Sequence, residues 1–120
     1  MKFELFKELY NEALSIASLD LFVAERGWQE WMEDYDADDV VKILTNIYYL
    51  ANNPLKDTRK VSRAEFSRQY NIPNRTLQDW DLGNRNAPEY VKLLLDFAQF
   101  TNGSQKGKHG NNSTQKMDTI

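Results

Sequence analysis

Apolar residues recur every three or four positions along most of the chain, and they nowhere alternate with polar residues as they do in a β-strand. This spacing predicts helices, because positions three and four apart share one face of an α-helix. The predicted helical segments are, in chain order, residues 1–17, 18–25, 28–35, 38–51, 62–70, 74–82 and 88–100. The sequence therefore predicts an all-α protein. Residues 103–120 lack the spacing and are rich in Gly, Asn, Ser, Gln and Lys, so we predict a disordered C-terminal tail.

The predicted first helix has a broad apolar stripe and an acidic opposite face formed by Glu4, Glu8 and Glu12. Acids at this spacing line the solvated side of a helix, so we do not interpret them as a catalytic pair. Residues 28–35 contain an aromatic cluster that lies among acidic residues, which would repel phosphate. We therefore expect these rings to pack in the core or at a protein interface, and not against nucleic-acid bases.

The stretch from Asp34 to Asp39 has acids at alternate positions, as calcium-binding loops have. It lacks the Gly and the final Glu that such a loop needs, with Thr45 at the position of the Glu. The better interpretation is that Asp36 or Asp38 caps the next helix, where acids also favour the positive end of the helix dipole.

The most informative stretch lies at residues 62–88 and reads SRAEFSRQYNIPNRTLQDWDLGNRNAP. Ser62 is a candidate N-cap, and Glu65 three residues later completes a capping box. Asn71 tolerates left-handed backbone and suits a sharp turn, while Gly83 ends the second helix. Two short helices joined by a tight turn describe a helix-turn-helix, whose second helix enters the DNA major groove.

This stretch resembles the helix-turn-helix of the phage repressor and Cro type, also called the Xre type, over residues 62–100. The matching positions are the cap, the core positions, the end of the second helix and the start of the following one: Ser62, Phe66, Ser67, Tyr70, Ile72, Leu77, Trp80, Asp81, Gly83, Pro88 and Tyr90. The segment at residues 75–91, RTLQDWDLGNRNAPEYV, also resembles small single-motif regulators of Gram-positive bacteria and their mobile elements.

Three positions depart from the family pattern. Asn71 stands where Gly is usual, and Asp79 is an acid where many relatives carry a neutral base-reading residue. Asp81 is one methylene shorter than the usual Glu, which in the family pairs with a basic residue of an earlier helix.

The resemblance implies a lambda-repressor-like bundle that binds double-stranded DNA through a recognition helix at 74–82. The base-reading positions it implies are Asn74, Arg75, Gln78 and Asp79. We expect phosphate contacts, which position the protein without specifying sequence, from Ser62, Arg63, Thr76, Asn84, Arg85 and Lys60. Arg offers a hydrogen-bonding fork to guanine, and Asn or Gln to adenine. Lys56, Arg59 and Lys60 form a basic cluster just before the motif, placed to approach a DNA backbone.

We predict an acidic helical extension at 1–36 and a helix-turn-helix domain at 37–102, followed by the tail. The first helix of that domain is either 38–51 or 55–60, and the sequence leaves both open. The apolar face of 88–100 is wider than a small three-helix core needs. Part of it is therefore expected to serve a homodimer, which would place two motifs on palindromic half-sites.

Charge is unevenly distributed, with a net charge of −7 over residues 1–52 and +2 over residues 53–103. The positive charge that DNA binding needs thus lies in the half that contains the motif.

The chain has no cysteine and one histidine, His109, so we expect no metal site, no cofactor, no catalytic residue and no enzymatic activity. No apolar run approaches the about 18–20 residues of a membrane span. The acidic N-terminus does not read as a signal peptide, so we expect a cytoplasmic location.

The most direct hypothesis is a sequence-specific DNA-binding transcriptional regulator that acts as a repressor. The alternative is a protein-interaction module, such as an antitoxin or a phage or mobile-element inhibitor, that binds a partner through its acidic N-terminal half. The resemblance extends to Xre-type antitoxins, which both bind DNA and interact with a partner protein.

Overall fold

The computed structural model describes residues 1–108, with side chains as far as Gly103, and every regular element in that part of the chain is helical. The α-helices are α1 (Phe3–Ser15), α2 (Leu19–Ala24), α3 (Ala37–Asn52), α4 (Leu55–Thr58), α5 (Arg63–Tyr70), α6 (Asn74–Leu82) and α7 (Glu89–Lys108). A 3₁₀ helix occupies Glu30–Asp34, within the amphipathic segment predicted at 28–35. The prediction of an all-α protein is confirmed for these residues.

Helices α2 and α3 both begin at a polar N-cap residue. The Ser18 hydroxyl accepts a hydrogen bond from the Leu21 amide at 3.2 Å, which satisfies one of the free N–H groups at the start of α2. Asp36 is the N-cap residue of α3, although its side chain makes no capping hydrogen bond. Asp38 and Asp39 lie in the first turn of α3, where they interact favourably with the helix dipole.

The larger of two hydrophobic cores lies between α1, α2, α3 and α7, and we call it the main core. Its buried members are Phe6, Leu9, Tyr10, Ala13, Phe22, Leu44, Ile47, Leu50, Ala51 and Phe100. The Phe6 ring, which is fully buried, lies 5.0 Å from the Phe97 ring and 5.2 Å from the Phe100 ring, measured between centroids. The main core therefore crosses the predicted boundary at residue 36 and joins the N-terminal segment to the C-terminal helix.

A smaller core holds α4, α5 and α6 against α7, and we call it the small core. Its buried members are Leu55, Phe66, Leu77 and Leu95. Of the two segments that the sequence left open as the first helix of this unit, α4 supplies a buried residue to the small core. The buried residues of α3 belong to the main core. Because Leu95 and Phe100 are both in α7, this helix takes part in both cores.

A buried polar cluster links α1, α3 and α7 beside the main core. Asp96 is fully buried, and its Oδ2 accepts hydrogen bonds from the Tyr10 hydroxyl at 2.7 Å and the Lys92 ammonium at 2.6 Å. Lys92 also donates to the Leu50 carbonyl at 2.8 Å. Burial raises the pKa of the Asp96 carboxyl and that of the Tyr10 hydroxyl above their ordinary values.

The C-terminal helix is longer than the sequence predicts. The helix predicted at 88–100 continues to Lys108, so the predicted start of the disordered tail at residue 103 falls inside α7. The rest of the predicted tail, 109–120, with His109, lies outside the described residues. Two apolar side chains on the first turns of α7 are exposed, Tyr90 at 68% and Leu94 at 51%. Among the described residues, no helix is long and apolar enough to cross a bilayer.

Candidate nucleic-acid interface

Helix α5 begins at the predicted cap. The Ser62 hydroxyl accepts a hydrogen bond from the Glu65 amide at 3.1 Å. The Glu65 carboxylate accepts from the Arg68 guanidinium at 2.6 Å, an exposed pair one helical turn apart. Phe66 points inward and is 1% exposed, which anchors this short helix to the small core.

The turn between α5 and α6 depends on Asn71, whose φ of 59° lies in the left-handed region. Asn adopts this backbone more readily than other non-glycine residues, so it replaces a turn glycine at small cost. The Ile72 amide donates to the Ser67 carbonyl at 3.0 Å, and the Ser67 hydroxyl donates to the Ile72 carbonyl at 2.5 Å. This pair of bonds closes the turn, and Pro73 then stands at the N-cap of α6. The short turn predicted from the sequence is thus present.

Helix α6 occupies Asn74–Leu82, as predicted, and is held by its inner face and its end. Leu77 is fully buried in the small core, and Trp80 packs partly buried against it. At the C-terminus, Gly83 has a φ of 79°, its amide donates to the Trp80 carbonyl at 3.2 Å, and the Asn84 amide donates to the Asp79 carbonyl at 2.9 Å. These two bonds form a Schellman motif, which needs left-handed backbone and therefore favours glycine.

The four predicted base-reading residues lie together on the outward side of α6. At about 100° per residue they span about 140° of the helix circumference. Asn74, Arg75 and Gln78 are exposed, with the Arg75 side chain 86% exposed. Asp79 is less accessible, with 22% of its side chain exposed, and its Oδ1 lies 4.0 Å from the Arg75 Nε. The carboxylate is thus placed to orient the guanidinium as well as to accept hydrogen bonds.

A nearly buried ion pair ties the last turn of α6 to the segment after α4. The Arg59 guanidinium donates to both carboxylate oxygens of Asp81, at 3.0 and 2.5 Å, and the two side chains are 10% and 11% exposed. Such a two-bond fork fixes direction as well as distance. The Arg63 guanidinium lies 3.7 Å from the same carboxylate. Asp81 is therefore in contact with two earlier basic residues, Arg59 just after α4 and Arg63 in the first turn of α5.

This pair corrects the interpretation of Arg59 as part of a DNA-facing basic cluster. Its side chain is committed to Asp81 and also lies over the Phe66 ring, 6.0 Å from the centroid. Lys56 and Lys60, its partners in that cluster, are exposed. The sequence signal for the pairing is weak, because the two partners are 22 positions apart and Arg59 lies between other charged residues.

The predicted phosphate-contacting residues differ in solvent exposure and in the contacts that they already make within the protein. Lys60, Asn84 and Arg85 are exposed, and Thr76 is half-buried. The Ser62 hydroxyl oxygen is used as the helix cap, which leaves its O–H free to donate. Arg63 is 37% exposed and shares Asp81 with Arg59. The start of α5 and the end of α6 are therefore neighbours, which places Arg63 close to the loop that carries Asn84 and Arg85.

The arrangement is thus a short helix whose inner face is fixed and whose outer face presents an amide, a guanidinium and a second amide to solvent. Within the described residues, no group of three or more His, Cys, Asp or Glu side chains is placed to hold a metal ion. Comparison of the chain with models of protein families, with curated proteins and with solved structures finds no match.

Proposed function

We propose that this protein is a sequence-specific double-stranded DNA-binding transcriptional regulator, and that α6 is its recognition helix. The observation that carries the proposal is the contrast between the two faces of α6. Leu77 and the Arg59–Asp81 pair hold the inner face, while Asn74, Arg75 and Gln78 stand exposed on the outer face. A rigid helix with a ready set of hydrogen-bonding groups is what readout of base edges requires.

The chemistry of the outer face suits the major groove. Arg75 offers two parallel N–H donors to the O6 and N7 atoms of guanine, and Asn74 and Gln78 each offer a donor and an acceptor to adenine. Asp79 either accepts from a cytosine amino group or holds Arg75 in position, and its 4.0 Å separation from Arg75 suits the second role. The exposed Lys60, Arg85 and Asn84, with Arg63, would hold the flanking phosphates.

The finer fold that goes with this function is a lambda-repressor-like bundle in which α5 and α6 form the helix-turn-helix. Its support is the pair of left-handed residues at Asn71 and Gly83, which give the turn and the stop that the motif needs. Such proteins bind as dimers, so we also propose a homodimer. The exposed apolar residues Leu82, Tyr90 and Leu94, at the end of α6 and the start of α7, are candidates for its interface.

The test is selection of duplexes from a random DNA pool with the purified full-length protein, followed by fluorescence anisotropy on the enriched sequence. We expect a defined consensus, tight binding to it and much weaker binding to a scrambled duplex at the same salt concentration. Lys42→Ala, which removes one exposed positive charge from α3, is the control and should retain the preference. A pool that shows no enrichment after several rounds would reject the proposal.

A further inference from the structure

An apolar groove of about 450 Å³ opens in the N-terminal half, between α2, the 3₁₀ segment and the first turns of α3. Its walls include Val23, Trp28, Met32, Tyr35, Val40 and Val41. None of these residues belongs to α6 or to the proposed DNA-contacting set. The groove therefore has no role in the function proposed above.

Trp28 is the most exposed large apolar side chain at this groove. It is 71% exposed, and Val41, which also lines the groove, is 47% exposed. The nearby Trp31 has other partners, because its indole N–H donates to the Gln29 side chain at 2.8 Å and its ring packs against Tyr35. An exposed Trp beside a preformed apolar groove is the kind of residue that carries binding energy in protein interfaces.

The groove has one cationic lining residue among the described side chains, Arg26, and its charge is already paired. Its guanidinium binds the Glu12 carboxylate at 2.5 Å and donates to the Phe22 carbonyl at 3.2 Å. The side chain is 5% exposed and lies over the Phe22 ring. A ligand in the groove would therefore meet little positive charge from Arg26.

Acidic residues flank the groove's lining residues in the sequence. The segments that form its walls carry exposed acids at Glu25, Glu33, Asp34, Asp36, Asp38 and Asp39. The whole of residues 1–52 has a net charge of −7. An occupant that carries Lys or Arg would bring complementary charge to this rim, whereas DNA or an acidic segment would be repelled.

We infer that this groove binds a basic segment of a partner protein, which inserts a bulky apolar side chain beside Trp28 and places Lys or Arg residues against the acidic rim. A second copy of the chain is disfavoured, because it would bring together two halves that each carry a charge of −7. The inference does not depend on DNA binding, since the groove and α6 share no residue.

The test uses the full-length protein and a fluorescein-labelled amphipathic peptide made only of Lys, Leu and Ala, with binding followed by anisotropy. We expect Trp28→Ala to weaken peptide binding by about tenfold or more, because the main apolar contact is lost. Leu14→Ala, which truncates an exposed side chain of α1 (53% exposed), should leave binding unchanged. Circular dichroism should show both variants folded, since both side chains lie at the surface.

Charge is tested separately. The double variant Glu25→Gln, Glu33→Gln should weaken peptide binding and flatten its salt dependence more than Glu4→Gln, Glu8→Gln, which changes the net charge by the same amount on α1. Equal effects of the two double variants, or equal effects of Trp28→Ala and Leu14→Ala, would overturn the inference. A dimer in sedimentation that Trp28→Ala dissociates would assign the groove to a second copy. A peptide that binds only after removal of residues 104–120, which carry a net charge of +2, would assign it to the chain's own basic C-terminal segment.

Discussion

The two cores differ in size, in the surface around them and in what they hold in place. The main core has ten buried residues from α1, α2, α3 and α7, and its N-terminal helices carry an acidic surface. The small core has four, and it supports the α5–α6 pair, whose surface is richer in cations. The small core has fewer buried side chains than the main core, so it contributes less to offset the conformational entropy lost when that pair is ordered. The difference indicates that the proposed recognition helix depends on the main core through α7.

The strongest test of this dependence is Phe6→Ala. Phe6 is fully buried against two rings of α7, so its truncation should lower the free energy of unfolding by about 3–5 kcal/mol. Leu14→Ala, on the exposed side of the same helix, should cost under about 0.5 kcal/mol. Urea denaturation followed by circular dichroism measures both.

The same variant distinguishes one cooperative unit from two. If the two cores are coupled, amide resonances of α6 should lose hydrogen-exchange protection together with those of α1. Protection of α6 that survives in Phe6→Ala while α1 exchanges freely would show that the small core stands alone.

The next largest effect is expected within the smaller unit, from Arg59→Ala. The change leaves the Asp81 carboxylate, 11% exposed, with Arg63 alone at 3.7 Å. We expect a loss of about 2–3 kcal/mol in unfolding free energy, below the full cost of breaking a buried pair because Arg63 partly replaces the charge. Arg59→Lys should recover only part of the loss, since an ammonium cannot make the two-bond fork.

Arg68→Ala is the matched control, because it removes the same charge from an exposed pair with Glu65. Its cost should stay under about 0.5 kcal/mol. Equal costs for Arg59→Ala and Arg68→Ala, measured by chemical denaturation, would show that the Arg59–Asp81 pair contributes nothing specific to holding α6.

Some of these features could be predicted from the sequence, and others could not. The bounds of α6 were predicted because its determinants are local: Asn71 makes the turn and Gly83 makes the stop. The buried contacts of Asp96 were not predicted, because nothing in a helical pattern distinguishes a buried acid from a solvated one. Asp96 lies between two apolar residues of α7, yet it meets Tyr10 from 86 positions away.

The division into two cores was also beyond the sequence. Periodicity shows which face of a helix is apolar, but it does not name the helix that covers that face. The main core crosses the predicted boundary at residue 36, because α1 and α2 pack against α3 and α7. Composition likewise ended the ordered chain too early, since polar residues after Gly103 continue α7 to Lys108.

A binding experiment separates readout from positioning within the cationic half. Arg75→Ala should cost about 1–3 kcal/mol on the preferred duplex and relax the preference at one base pair, because Arg75 is exposed on the first turn of α6. Arg63→Ala and Arg85→Ala should weaken all duplexes alike and reduce the salt slope by about one unit each. Anisotropy on specific and scrambled duplexes across a salt series measures both effects.

The Arg75 side chain is 86% exposed, so Arg75→Ala should not change the stability of the protein. Circular dichroism serves as the control for folding. Binding of every duplex as by the parent protein would mean that α6 is not a recognition helix. The acidic groove around Trp28 would then become the principal candidate for function.

The smallest effect concerns the buried polar cluster beside the main core. Asp96→Asn keeps the shape of the side chain and an oxygen that accepts from Tyr10 and Lys92, so the change in stability at pH 7 should be about 1 kcal/mol or less. Its pH dependence is more informative. Burial raises the pKa of Asp96 in the folded protein, so the folded state binds this proton more tightly than the unfolded state does.

The stability that Asp96 contributes is therefore fully present below the unfolded pKa of about 4 and is lost as pH rises through the higher folded pKa. Relative to Asp96→Asn, the parent protein should be most stable near pH 4 and should lose that advantage as pH rises through the folded pKa. Urea denaturation of both proteins at several pH values gives the difference, in which the titration of other groups cancels. A difference that grows with pH instead would mean that Lys92, 2.6 Å away, outweighs burial and lowers the pKa of Asp96. The Lys92–Asp96 contact would then be a stabilising ion pair at neutral pH.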